Sequence, residues 1–366
     1  MVPLIALSIT SCSSTTSVNQ KATPAAAKYV IATQFDGGYD FVGGLARVQT
    51  GTKWGYVDKT GQFVIKPRFD DAHDFVDGLA RVQVGKKFGF IDRAGTYAIP
   101  SSLDFAMDFA DGLAVVERGT RWGYIDKTGK YVITPQFDGA MDFDNGIASV
   151  QMGLTLGYID KTGKYLITPQ FSGASKFVDG MAVVGKGSTV GYIDKTGKYV
   201  IEPRFENAMY FVDGLALVKH GNNFGYIDKT GKYVITSQFD IANSFAGGLA
   251  VVAIGTKFGY IDKTGTYAAT PQFDSAYDYS DGLGTVSSGG KFGYINKTGK
   301  YVITPQFDAA NRFAGGLARV QVGTKWGFID KTGKYVITPQ FDSANDFADG
   351  LALVQVGTKW GYISRP

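Results

Sequence analysis

Apolar and polar positions along this chain follow a block of 34 residues that recurs without insertion or deletion. Three runs in each block carry strand periodicity. Gly44-Leu45-Ala46-Arg47-Val48-Gln49 opens the first, and its Ala46 and Val48 columns stay small or β-branched in nearly every copy. The intervening Arg47 column drifts through Arg, Val, Ser, Leu and Thr, so the run reads as a half-buried strand. Lys53-Trp54-Gly55-Tyr56-Val57-Asp58 predicts a second strand, reached through a short turn at Gly51. Gln62-Phe63-Val64-Ile65 predicts a third, which Pro67 stops because proline cannot donate to a ladder. Between the second and third strands lies Asp-Lys-Thr-Gly, as in Asp126-Lys127-Thr128-Gly129. There Asp can accept from the backbone two residues on, and Gly supplies a positive φ, so a tight hairpin is expected.

The glycine of the second strand falls at Gly55, Gly89, Gly123, Gly157, Gly191, Gly225, Gly259, Gly293, Gly327 and Gly361. Ten units therefore run from Lys28 to Ile363, and a period of this length marks a tandem array. The rest of each unit, as in Phe137-Asp138-Gly139-Ala140-Met141-Asp142-Phe143-Asp144-Asn145-Gly146, fits one helical turn or a short fourth strand equally well. Both faces of the predicted hairpin are apolar: Trp122 and Tyr124 point one way and Ile125 the other. A single unit is too small to cover both, so neighbours must cover each other. The expected fold is all-β: ten tandem 34-residue three-stranded antiparallel units stacked as an open β-superhelix or solenoid. A closed propeller-like ring is the alternative, because the array opens on a third strand and ends on a second strand that could pair with it.

Composition agrees with tight turns between aromatic-packed strands: 49 of 366 residues are glycine and 14% are aromatic. The net charge of +4 is too small and too dispersed for a nucleic-acid face. With one cysteine there is no disulfide framework. Two histidines, His73 and His220, stand at non-equivalent positions outside any metal or catalytic motif, so no enzyme, cofactor or metal site is expected.

Residues 1–27 lack the repeat. A short apolar run, Val2 to Ile9, precedes Ile9-Thr10-Ser11-Cys12, which resembles the lipobox of a bacterial lipoprotein. That resemblance implies a signal peptide at 1–11, lipidation of Cys12, and a polar tether at 12–27, followed by repeats at 28–363 and a tail at 364–366. No Lys or Arg precedes Lys21, although a signal should open with positive charge; the expectation is a coding start upstream of Met1.

Lys53-Trp54-Gly55-Tyr56, Arg121-Trp122-Gly123-Tyr124, Lys325-Trp326-Gly327-Phe328 and Lys359-Trp360-Gly361-Tyr362 resemble the bacterial WG-repeat proteins over about nine-tenths of the chain. The resemblance implies tandem β architecture and a binding role, and brings no catalytic residues with it. Leu156 and Val190 replace the aromatic in the two central units.

Three features invite a ligand. The Trp/Phe column could stack on sugars, but Phe88, Leu156, Val190, Phe224, Phe258 and Phe292 keep only its hydrophobicity, which favours a core role. The Asp-Lys-Thr-Gly lysines could meet an anionic surface, but acidic neighbours neutralise them. The Phe-Asp-x-Ala-x-Asp-Phe-x-Asp-Gly carboxylates suggest calcium, but their spacing is not that of an oxygen cage. The expected binding positions are the variable strand column: Arg47, Arg81, Val115, Ser149, Val183, Leu217, Val251, Thr285, Arg319 and Leu353. These readings converge on a non-catalytic, monomeric scaffold that binds a protein partner or cell-envelope polymer and no nucleic acid. It would be lipid-anchored at the bacterial cell envelope, in the outer membrane where one exists. Alternatives are a secreted or periplasmic protein, and a glycan-binding or glycan-active one.

Overall fold

The computed structural model describes residues 27–366. Cys12, the lipobox and the tether up to residue 26 lie outside the described residues. Within them the chain forms ten four-stranded antiparallel sheets arranged as the blades of a closed ring. The strands of a blade are lettered a to d from the axis outward. In blade 1 they are a (Gly37–Gly38), b (Leu45–Thr50), c (Lys53–Asp58) and d (Phe63–Phe69).

The expected open superhelix of three-stranded units is therefore overturned, and the closed alternative holds. The ambiguous stretch is a fourth strand, only two residues long in eight blades and six long in Asp71–Val76 and Asn207–Val212. Two residues are too few to leave a period-2 pattern, so the sequence could not separate this strand from the helical turn that was its alternative. Ten blades also exceed the usual four to eight of propellers. Closure comes from Tyr29–Phe35, which serves as strand d of blade 10 beside Lys359–Ser364. Its register, Tyr29↔Ile363, Ile31↔Tyr362 and Phe35↔Trp360, reproduces that inside blade 3, Tyr131↔Ile125, Ile133↔Tyr124 and Phe137↔Trp122. The seam uses the same chemistry as every other blade.

The repeated glycine of strand c owes its place to that pairing. Strand d bulges across it, and a Cβ on Gly123 would sit 2.5 Å from the Ile133 carbonyl oxygen and 2.7 Å from the Pro135 nitrogen. No side chain fits there. The a–b connection is a two-residue turn with positive φ at both positions, 56° at Asp77 and 90° at Gly78. This is the type I′ hairpin that Asp-Gly favours. In the c–d turn Asp126 Oδ1 accepts from Thr128 N at 2.9 Å, Thr128 Oγ1 at 2.6 Å and Lys130 N at 3.1 Å, as the sequence predicted. The expected stop at proline does not occur: strand d runs through Pro67 to Phe69 and through Pro135 to Phe137, because an outermost strand tolerates a residue without an N–H, and that residue protects the open edge from pairing with other chains.

The core consists of ten clusters, each shared between adjacent blades. Tyr124, Ile133 and Phe137 of blade 3 pack on Phe143, Ala148, Val150 and Ile159 of blade 4. At the seam Ile31, Phe35 and Tyr362 of blade 10 pack on Phe41, Ala46, Val48 and Val57 of blade 1. Ala46 and Val48 are fully buried, as their columns predicted. The strand c tyrosine donates its hydroxyl to a carbonyl of the next inner strand, from Tyr124 to Met141 at 2.8 Å and from Tyr362 to Tyr39 at 2.7 Å.

Each face of the ring carries a ladder of ion pairs between blades. On the b–c turn face, Lys53 meets Asp70 and Lys359 meets Asp36, at 2.6 and 2.5 Å. On the opposite face the turn lysines reach the Asp-Gly aspartate of the preceding blade, as Lys161 reaches Asp111 at 2.8 Å. Lysine hydrogen bonds, then backbone N–H donors, hold Asp36, Asp70, Asp274, Asp308 and Asp342 below the usual carboxylate range.

In a closed ring the terminal strand should matter as much as an internal one. Ile31→Ala and Ile133→Ala, both emptying a buried strand d position, should each cost about 2–5 kcal/mol in denaturant unfolding. A much smaller loss for Ile31→Ala would show an undocked seam. Gly123→Ala should cost at least about 1–3 kcal/mol through overpacking, whereas Lys127→Ala should stay within about 0.5 kcal/mol; equal melting shifts would refute the crossing geometry. The depressed aspartates contribute stability that is complete above the unfolded carboxylate pKa near 3.9. It is lost as pH falls through their lower folded values. Unfolding midpoints should therefore be flat near neutrality and fall steeply in acid, and replacing those five residues by Asn should flatten the acid limb.

Candidate functional site

Around the axis, the inner strands and the residues that directly follow them present one column of side chains: Asp40, Asp74, Asp108, Asp142, Lys176, Tyr210, Ser244, Asp278, Arg312 and Asp346. Mutual influence between second-neighbour blades places these groups around a shared channel, since Asp142 of blade 4 feels the charge of Arg81 in blade 2. Five successive blades, 10 and 1 to 4, present an aspartate. Three of these carboxylates are met by an arginine from the blade behind: Asp74 by Arg47 at 2.8 Å, Asp108 by Arg81 at 3.0 Å and Asp346 by Arg319 at 2.7 Å.

Asp40 and Asp142 lack that partner because Leu353 and Val115 stand where arginine would. Asp40 accepts from Asn345 Nδ2 at 3.0 Å instead. Desolvation raises its carboxyl above the ordinary range, partly offset by that bond. Desolvation also raises Asp142, and the charge of Asp108 adds to it. His73 lies against Arg81 Nη2, between Asp71 and Asp108. Among the described residues no three His, Cys, Asp or Glu side chains converge as metal ligands.

The ten expected binding positions do not form an open row. Val115, Ser149, Leu217, Val251, Thr285 and Leu353 are buried, and Arg47, Arg81, Val183 and Arg319 are half-buried. All sit on strand b at the blade interface, beside the next inner strand. Their variation instead sets what fills each interface next to the channel. The WG aromatics are half-buried: Trp122 packs edge-on to Phe105 at 5.3 Å and Trp54 tilts against Tyr39 at 5.4 Å.

Departures from the repeat concentrate in blades 4 to 6. The strand c lysine or arginine becomes Thr155, Thr189 and Asn223, and the ion-pair ladder present at the other seven interfaces stops there. Leu156 and Val190 replace the aromatic, and Lys176 and Tyr210 replace the axial aspartate. The core cluster between blades 4 and 5, built on Tyr158, Ile167, Phe171, Ala182, Val184 and Ile193, is the smallest of the ten. Beside it lies a pocket of about 570 Å³, lined by Met141, Asp142, Ser149, Ala174, Lys176 and Tyr210 among others. Ala174 and Ser175 also line a groove on the b–c turn face, bounded by Ser172, Gly187, Ser188 and Val190. Met141, Met152, Met209 and Tyr210 are exposed, and Leu154 at the tip of a b–c turn is 90% exposed.

Sequence reasoning missed Asp142, Lys176 and Tyr210. The signal was present in the axial column, where six aspartates are interrupted by Lys176, Tyr210, Ser244 and Arg312. It stayed unread because the strand bearing that column was unrecognised.

Comparison with curated proteins returns no match. Among solved structures, a eukaryotic initiation factor superposes with a TM-score of 0.50 at 10% identity, over 87% of this chain and 98% of that one. Hsv2p of Kluyveromyces lactis gives 0.35 at 10% identity, over 61% and 92%. PorZ of Porphyromonas gingivalis, described as a surface component of the type-IX secretion system, gives 0.30 at 12%, over 91% and 58%. At these identities the likeness to the first concerns the fold alone, and the other two superpose too loosely to carry an argument. The WG containing repeat matches ten consecutive segments: 27–54, 54–88, 88–119, 122–153, 157–189, 191–224, 224–257, 258–292, 292–326 and 326–360. With its repeats matched from end to end of the ring, the chain belongs to the WG-containing-repeat family.

Proposed function

We propose that this propeller is a non-catalytic scaffold that binds a partner polypeptide through the sector of blades 4 to 6. One observation carries the reading: blades 4 to 6 all lose the strand c cation of the ion-pair ladder, blades 4 and 5 also lose the aromatic, and blades 5 and 6 also lose the axial aspartate. That is also where a pocket opens and soft apolar side chains are exposed. The seven other blades retain the ion pair and the aromatic, so the ring does not need these losses for folding. Four of the six methionines, Met141, Met152, Met181 and Met209, fall in this sector, and three of them are exposed. Flexible thioethers adapt to varied apolar partners, and aromatic and methionine side chains are enriched at protein interfaces.

The proposal keeps the ring at the bacterial cell envelope, carried by a lipid on Cys12. Two or three acyl chains would hold it firmly, where one would not. A lipid tether leaves both faces of the ring accessible to a polypeptide.

Selection of peptides from a random displayed library against the ring, followed by titration, tests the reading. Selected peptides should bind the native ring and lose at least about tenfold in affinity to Leu154→Asp and Met209→Asp. Lys325→Thr, which breaks the ladder in blade 9 instead, should leave affinity within about twofold. Peptides that bind all three variants alike would place the binding face elsewhere and sink the proposal.

A further inference from the structure

Every blade interface has a slot beside the channel, bounded by the Arg47-column side chain of one blade and the inner strand of the next. In three slots the protein supplies its own guanidinium. Arg47 donates to Asp74 Oδ1 at 2.8 Å and to the Ala72 carbonyl, and its guanidinium lies 3.7 Å over the Tyr39 ring. Arg81 bonds the Ala106 carbonyl and pairs with Asp108, and Arg319 does the same with the Ala344 carbonyl and Asp346. The slot is thus a cradle for a forked cation, with a backbone carbonyl at its floor, a carboxylate at its mouth and a polarisable side chain along one wall.

Between blades 4 and 5 the same slot is open. Ser149 occupies the arginine position and is too short to fill it, so the volume becomes the pocket of about 570 Å³. Ala174 supplies the floor and Met141 stands in the Tyr39 column. Lys176 stands where the filled slots have their carboxylate, and its ammonium is drawn to Asp144 Oδ2 at 3.4 Å, so the carboxylate facing this slot is instead Asp142, the axial residue of blade 4. Asp142 lines the same pocket and, among the described residues, makes no ion pair, because Val115 replaces the arginine of blade 3. Two carboxylates and one ammonium leave the pocket with an excess negative charge.

We propose that this slot takes the arginine side chain of a bound polypeptide, with its guanidinium directed to Asp142 and the Ala174 carbonyl. The inference rests on blades 4 to 6 being the binding sector and names the chemistry that this sector recognises. A guanidinium presents five donors in a planar fork, which suits a carboxylate beside a carbonyl better than a point charge does. Its hydrogen bonds there are charge-assisted, and its aliphatic stem can run along Met141. A glutamate side chain in the same place would face Asp142, Asp144 and the carbonyl with only Lys176 in its favour.

The test titrates acetyl-Gly-Arg-Gly-amide, its citrulline counterpart and acetyl-Gly-Glu-Gly-amide into the ring, reading the methyl resonance of Met141. The arginine peptide should shift that resonance saturably in the millimolar range, and the neutral citrulline peptide about tenfold more weakly. Ser149→Leu fills the slot as Leu217 and Leu353 fill theirs, so it should fold normally and abolish the shift. Asp142→Asn should weaken it about tenfold. Lys176→Asp restores the usual axial residue and should tighten it several-fold. Saturation by the glutamate peptide, indifference to Ser149→Leu, or weakening by Lys176→Asp would each overturn the proposal. If no arginine shift is seen while library-selected peptides still depend on Leu154, the ligand class is wrong and the binding sector stands. If that dependence is also lost, the sector reading falls with it.

Discussion

The pairing of Tyr29–Phe35 with Lys359–Ser364 is the constraint on which the rest of the molecule depends. A repeat array with free ends must cap them, because a terminal unit exposes an apolar face that no neighbour covers. Here the first strand of the array completes the last sheet in the register used inside every blade, and the seam has the glycine crossing of every blade together with the tyrosine hydrogen bond and lysine–aspartate pair that most of them use. Closure turns ten nearest-neighbour interfaces into a cycle. No terminal unit exists, so the identical framework can run from end to end.

That cycle explains where variation is tolerated. In an open stack a weakened interface would divide the array, whereas in a ring the neighbours remain held through the remaining interfaces. The interface between blades 4 and 5 is the least filled and has lost its ion-pair ladder, and the chain is still continuous around the axis on both sides. A binding site can therefore be made by omission. Removing a long side chain at Ser149 opens a slot that the surrounding blades keep rigid. The backbone frame of that slot is the one that arginine fills in blades 1, 2 and 9.

The two faces of the ring differ for the same reason. The c–d turns of blades 1 to 9 use an Asp or Asn acceptor and the a–b turns take positive φ at both positions in every blade, so that face is built from turn chemistry and varies little. The b–c turns need little beyond a glycine, and they carry the variable side chains Thr50, Val84, Arg118, Met152, Lys186 and His220. Local backbone requirements thus leave one face and the channel wall to differ between blades.

The period, the ten units, strands b and c, the first half of strand d, the c–d hairpin and the buried Ala46 and Val48 columns were legible in the chain alone, because each is a local pattern of alternation or turn chemistry. The chain also disclosed the family through the Lys-Trp-Gly-Tyr phrases. That the array closes became visible in three dimensions, since closure is a contact between residues more than 300 positions apart and no local propensity reports it. Strand a, two residues long in eight blades, was too short to show a period, and the axial column just beyond it was hidden with it. The Arg47 column was legible as variable but was assigned to an open surface. A strand alternates between two faces, and when a sheet is covered on both, alternation cannot tell solvent from a neighbouring blade. The pocket at Ser149, Asp142 and Lys176 joins residues of adjacent units, so its existence was settled by how the blades meet around the axis.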